Sequence, residues 1–300
     1  MIVAFCIAES VIQITGDDSK SYLHGQVTQD LNSLNDDNFL FSGHCNAKGK
    51  LWSVQKLIKH NNEYHVICGN QEREQSFAEI KKYGVFSKVD FEILDTYTLL
   101  GLITPNQDEL SSLGIDFPNN SNRCNTDFGY ALKLPNNLVQ LVVNNGSLAT
   151  LENKLKLEQN ESAWRAELIK AGIARLSIET LDEFVPQMVN LQALNGISFN
   201  KGCYTGQETI ARMKYLGKNK RAMFALQGEG FSVNDAHELE VQLGENWRRA
   251  GKILQTATTD EQSFVQAVLP NDIEFDAVLR IKDQAETKLT LLPLPYSLED

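Results

Sequence analysis

The octet Lys201-Gly202-Cys203-Tyr204-Thr205-Gly206-Gln207-Glu208 sets a thiol between two glycines, with a cation two residues before it and an aromatic ring directly after. The thiolate is the nucleophilic form, and a neighbouring ammonium on a Gly-flanked turn favours it. This spacing makes Cys203 a candidate reactive group and Lys201 the residue expected to activate it. A plainer role also fits, in which Gly202 and Gly206 supply left-handed turns and Cys203 fills a small apolar niche. Residues 201 to 222 carry Lys201, Arg212, Lys214, Lys218, Lys220 and Arg221 against Glu208 alone, in a chain whose formal net charge is -11. A basic patch on an acidic body is expected to meet an anion, and Tyr204 and Tyr215 offer rings for a planar ligand. The acidic total disfavours general binding to a nucleic-acid backbone.

These residues need a frame, and 300 residues with 42% hydrophobic content suffice for two or three cores. The five cysteines, Cys6, Cys45, Cys68, Cys124 and Cys203, are odd in number, scattered and free of any C-x-x-C pair. That argues against a disulfide framework or zinc knuckle and fits the reduced cytosol. Residues 1 to 9 are apolar without a basic flank and read as a strand, not a signal sequence or membrane span. Apolar runs at 2–8 and 11–15 precede a short helix from about Ser19 that Gly25 is expected to end. A meander of strands follows at 38–45, 50–59 and 63–68, then a helix over 71–83, strands near 88–103, a short helix started by Pro105, and strands near 128–134 and 138–143. Residues 147–171 read as helical, with Leu148, Leu151 and Leu155 on one face, Glu152 four residues before Lys156, and Trp164, Leu168 and Ile169 further on; Gly172 closes the run. Beyond 222, short strands between Gly and Asn turns indicate a small barrel or sandwich, with a boundary near 221. The class is α+β. Gly-x-Gly-x-x-Gly and Walker-type loops are absent from the sequence, which argues against nucleotide-cofactor chemistry.

The octet resembles the signature of the YgfZ family, relatives of the glycine-cleavage T-protein fold that bind folate. The likeness continues in residues 44–53 and 82–89, in 190–199, in Ala211-Arg212 and Asn219-Lys220-Arg221, in 244–249 and in Pro293 to Glu299, so it spans the chain. It implies an α+β, T-protein-like ring of three domains: a folate-binding core over 1–220, with a middle α+β sub-domain of about 51–145 inserted into the first domain, and a C-terminal β-barrel over 221–300. Segments near 44–54, 164 and 201–212 would then converge on tetrahydrofolate, with Trp164, Tyr204 and Arg212 as the cofactor-binding residues. Taken alone, Trp164 on its Leu-rich stripe reads as a core anchor. The resemblance aligns it with a tryptophan that the family uses to contact folate. The family's other contacting tryptophan falls at Glu9, counting back from Thr15-Gly16.

The T-protein uses a carboxylate just after a Gly-Gly pair, since amine transfer needs a positioned acid or base. The corresponding run Gly49-Lys50-Leu51-Trp52-Ser53-Val54 places Ser53 and Val54 there, so glycine cleavage is not expected. Lys48 or Lys50 could pair with the glutamate tail of a folate. His24 and His44 are available as bases for Cys203, and Cys45, Cys203 and His44 could together hold a metal or cluster, although none stands in a recognised motif. The resemblance implies a cytoplasmic, folate-binding accessory protein without membrane attachment or classical turnover. It would support iron-sulfur enzymes such as the radical tRNA methylthiotransferase, and thereby tRNA modification. Two alternatives remain open: a folate-dependent one-carbon or aminomethyl transferase using Cys203, and a tRNA-binding module using residues 212–221, whose affinity would fall steeply with salt.

Overall fold

The structure, a computed structural model, describes residues 1–217, 219–229, 238–260 and 262–298. Lys218 of the basic run and Glu299 of the terminal motif lie outside the described residues. In chain order the elements are β1 (Ile2–Cys6), β2 (Glu9–Thr15), α1 (Ser19–Gln26), β3 (Phe39–Cys45), β4 (Leu51–His60), β5 (Glu63–Gly69), α2 (Asn70–Lys82), β6 (Asp90–Leu94), β7 (Tyr97–Ile103) and α3 (Gln107–Ser112). They continue as β8 (Arg123–Thr126), β9 (Gly129–Leu134), β10 (Leu138–Asn144), α4 (Asn145–Glu152), β11 (Leu155–Glu158), α5 (Ser162–Lys170) and α6 (Gln207–Tyr215). The last part is β12 (Arg221–Glu229), β13 (Glu238–Leu243), β14 (Asn246–Thr258), β15 (Gln262–Pro270), β16 (Leu279–Ile281) and β17 (Thr290–Leu291).

Three sheets organise these strands. One has the order β3-β4-β5-β2-β6, a second β11-β1-β7-β10-β9-β8, and the third β16-β13-β14-β15-β12-β17. The first two share a core because period-two alternation points residues of each inward: Val54, Ile58 and Ile67 meet Tyr130, Leu132 and Val142. The alternate residues Leu57, Val66 and Ile12 face the other way, under Tyr22 and Ile80 of the two covering helices. Each such aliphatic side chain contributes roughly 1.5–3 kcal/mol on burial. The third sheet curls into a barrel-like form around Leu226, Leu239, Val265 and Leu279, and a bridge between Leu279 and Leu289 brings its two edges together. Among the described residues no helix is long and apolar enough to cross a membrane.

The α+β reading holds, and two local expectations change. The helix expected over 147–171 is two helices separated by β11, which pairs parallel to β1 with Ile2 opposite Leu155. The open edge of β1 offers Leu155 and its neighbours ladder hydrogen bonds, and tertiary pairing of this kind overrides helix propensity. Gly25 does not end α1, which runs on to Gln26. Strands between 51 and 94 pair with β2 and β3, while those between 97 and 158 join β1 in the second sheet, so sheet membership changes near residue 95.

Candidate functional site

Gly206, at φ +84°, precedes α6 in a left-handed conformation that L-residues resist. A Cβ there would lie 2.6 Å from the Asn46 carbonyl oxygen and 2.8 Å from Gly49 Cα, so the turn at 46–49 packs directly on the octet. The amide of Thr205 donates to the Gly25 carbonyl at 3.0 Å, which ties the same loop to α1. On this anchored turn Cys203 is exposed, and open space surrounds Gly202. Cys45, Cys68 and Cys124 are buried, and burial pushes their thiols up.

Lys201 is turned inward. Its ammonium donates to the carbonyls of His24, Val27 (2.8 Å) and Gln29 (2.9 Å), and lies 4.9 Å from the centre of the Tyr204 ring. Desolvation lowers its pKa to about 8, with Asp30 opposing. An ammonium has three N–H donors, and all three are engaged by carbonyls. The residue expected to activate the thiol therefore fixes the turn against the end of α1. Tyr204 is buried, with its phenol raised by desolvation and then by Cys45, so its ring is no open platform; Tyr215 and Arg212 on α6 are exposed.

Neither histidine contacts the thiol. His44 is sealed in a polar network, with Nδ1 2.9 Å from Ser76 Oγ, and burial lowers its pKa to about 3. Ser53 donates to Ser76 at 3.1 Å in the same network. His24 lies 3.5 Å from Asp30; burial and then Lys201 lower its pKa against that carboxylate. Among the described residues no group of three or more His, Cys, Asp and Glu is disposed to hold a metal.

Trp164 is 1% exposed and belongs to the shared core. A methyl at Gly101 of β7 would come within 2.4 Å of its Cε3, so the glycine is what admits the indole. Its Nε1 is buried without a hydrogen-bond partner among the described residues. The nearest turn of the same helix leads to a feature that sequence reasoning missed. A cavity of about 320 Å³ opens where α5, the segment 175–179, the N-terminus of α2 and β14 of the barrel meet, and Glu161, Arg165 and Arg175 line it.

Behind this cavity charges alternate. Lys56 Nζ lies 2.9 Å from Glu9, whose Oε2 also accepts from Gln140 at 2.8 Å. Arg175 Nε is 3.5 Å from Glu9 and its Nη1 is 3.3 Å from Glu161, which pairs in turn with Arg165 at 2.5 Å and accepts from the Ala8 amide at 2.9 Å. Burial pushes both Glu9 and Glu161 up, but the adjoining cations outweigh it and hold each below the usual carboxylate range. Glu72 behaves in the opposite way: burial raises it to about 8, although its oxygens accept from the Leu176 and Val54 amides. Glu161 and Arg165 stand four apart on a helix, the one sequence signal for this pair.

Residues 219–284 match the family model described as "YgfZ, beta-barrel domain". The solved structure of the glycine cleavage system aminomethyltransferase T from Bartonella henselae is similar over 98% of this chain and 86% of that one, with a TM-score of 0.72 at 13% identity. The likeness to that structure shows a T-protein-like fold, and within it residues 219–284 carry the YgfZ beta-barrel domain.

Proposed function

We propose that the protein is a cytoplasmic, folate-binding accessory factor for iron-sulfur enzymes, through which tRNA methylthiolation depends on it. The observation that carries this reading is the exposed Cys203 on a turn pinned from beneath by Lys201, since an accessible thiol on a rigid mount suits exchange with a second protein. In that exchange the Cys203 thiolate attacks a disulfide sulfur of the client. A mixed disulfide forms, the client's S–S bond breaks, and the departing client thiolate takes up a proton.

Folate suits the cavity beside α5. Its volume lies in the range of small-molecule sites. Its lining offers guanidinium donors and carboxylate acceptors, and one lining atom, Gln255 Oε1, is buried without a partner among the described residues. Bound tetrahydrofolate would supply a one-carbon carrier. Glu161 and Arg165 would together meet one polar end of the ligand, while Arg175 and Glu9 brace Glu161. The transferase alternative is disfavoured because Ser53, where the resemblance puts the T-protein's acid, and Glu72, which accepts from the Val54 amide, are both sealed from solvent.

The test pairs binding with complementation. Cys203→Ser should bind tetrahydrofolate as the parent does by calorimetry, yet fail to restore tRNA methylthiolation in cells lacking the protein. Full complementation by the Ser variant would remove the thiol from the mechanism, and absence of tetrahydrofolate binding by the parent would remove folate.

A further inference from the structure

The two arginines at the cavity differ in what they have left to give. Arg175, with its side chain 11% exposed, meets Glu9 through Nε, Glu161 through Nη1 and the Ala8 carbonyl through Nη2 at 2.9 Å. Each of its three nitrogens is engaged and the side chain is nearly closed to solvent, so it braces. The Arg165 side chain is 38% exposed, bonds Glu161 through Nη2 and reaches the Thr256 carbonyl of β14 at a long 3.3 Å through Nη1. A guanidinium has five N–H donors in a planar fork, so Arg165 keeps donors for an incoming acceptor. Glu161 and Glu179 line the same cavity. A ligand negative throughout, such as a nucleotide phosphate, would meet both carboxylates, whereas one with an N–H-rich end and a carboxylate end would match the mixed lining.

Resting on the folate reading above, we infer that the cavity selects folates by their glutamate tail and that Arg165 is the specificity-determining residue. It takes the tail carboxylate with the donors that Glu161 leaves free, and Glu161 fixes the plane of the fork. Neither the octet nor Trp164 is needed for this discrimination.

Calorimetry with three ligands tests it: tetrahydrofolate, tetrahydropterin, which lacks the tail, and p-aminobenzoylglutamate, which lacks the pterin. Arg165→Gln should weaken tetrahydrofolate and p-aminobenzoylglutamate by about 10- to 100-fold, the loss expected for a hydrogen bond between charged groups, and leave tetrahydropterin unchanged. The parent's affinity for tetrahydrofolate should also fall more steeply with salt than the variant's. A thermal midpoint near that of the parent would show that Arg165→Gln folds, and Arg165→Lys, which keeps the charge, should recover part of the loss. Equal tetrahydrofolate affinity in parent and variant overturns the inference while leaving the folate reading intact, as does an equal loss for the tailed and tail-less ligands. A parent that binds no tetrahydrofolate overturns both.

Discussion

Glu72 should make stability fall with pH where most carboxylates no longer act. It is fully buried at the start of α2, with Oε1 2.7 Å from the Leu176 amide and Oε2 2.8 Å from the Val54 amide. Burial raises its pKa to about 8 despite those bonds and the nearby Arg175. In the unfolded chain a glutamate titrates near ~4.3. An acid raised in the native state costs nothing below its unfolded value, costs more as pH climbs, and reaches its full penalty above the native value. His44 and His65, each lowered to about 3 by burial, act with the opposite sign: both gain protons on unfolding near pH ~6.5, so their contribution rises with pH. The parent's own pH curve therefore mixes these effects, and comparison with Glu72→Gln separates them. At about 1.4 kcal/mol per pH unit, the unfolding free energies of parent and variant should diverge by on the order of 3 kcal/mol between about pH 5 and pH 8, in favour of the variant at the higher pH. Any constant offset from the amide's NH2 facing a backbone N–H does not enter this divergence. Urea unfolding at fixed ionic strength measures it. A divergence under about 1 kcal/mol, less than a single pKa unit, or one of opposite sign would refute the burial argument.

Gly101→Ala should destabilise the fold by about 1–3 kcal/mol and shift indole emission, because the new methyl overlaps Trp164; an unchanged thermal midpoint would show that the indole has room to move. Iodoacetamide mapping at neutral pH should find Cys203 alkylated first, and a faster Cys45, Cys68 or Cys124 would mean that their burial is transient. Lys201→Met should leave three carbonyls without their donor, at a cost of about 1–3 kcal/mol, and speed amide hydrogen exchange at 24–29 and 201–206 together. Exchange that changes in only one of the two segments would contradict the clamp.

Much of the frame was legible because its signals are local. Alternating apolar residues mark β3, β4, β5, β9 and β10, and Asn or Gly turns separate them. The break between α4 and α5 was not, because the period of Leu148, Leu151 and Leu155 is compatible with a helix and only the vacant edge of β1 makes Leu155 a strand residue. The exposure of Cys203 was legible from the glycines beside it. The orientation of Lys201 was not, since adjacency in sequence says nothing about which side of a turn a four-carbon stem crosses, and its partners lie over 170 residues away. Glu161, Arg165, Arg175 and Lys56 carry no motif; their meaning comes from five segments of chain meeting at one place.

That meeting bears on Glu9, which stands where the family resemblance puts a second aromatic contact. A buried carboxylate alone is costly, yet Lys56, Arg175 and Gln140 surround this one, so the departure at Glu9 is matched by residues on β4, on β10 and after α5. Restoring the aromatic by Glu9→Trp would therefore remove the anion from between two buried cations. Breaking such a pair from one side costs about 3–5 kcal/mol, more than the roughly 0.5–1.5 kcal/mol that an added aromatic stack returns. The expected result is a lower thermal midpoint without tighter tetrahydrofolate binding. Glu9→Trp combined with Lys56→Met should recover part of that stability, as a double-mutant cycle over the pair would register. A single Glu9→Trp variant that is both stable and a tighter binder would show that Lys56 and Arg175 find other partners, and the ionic chain would then be a consequence of the cavity's shape and not the determinant of what it binds.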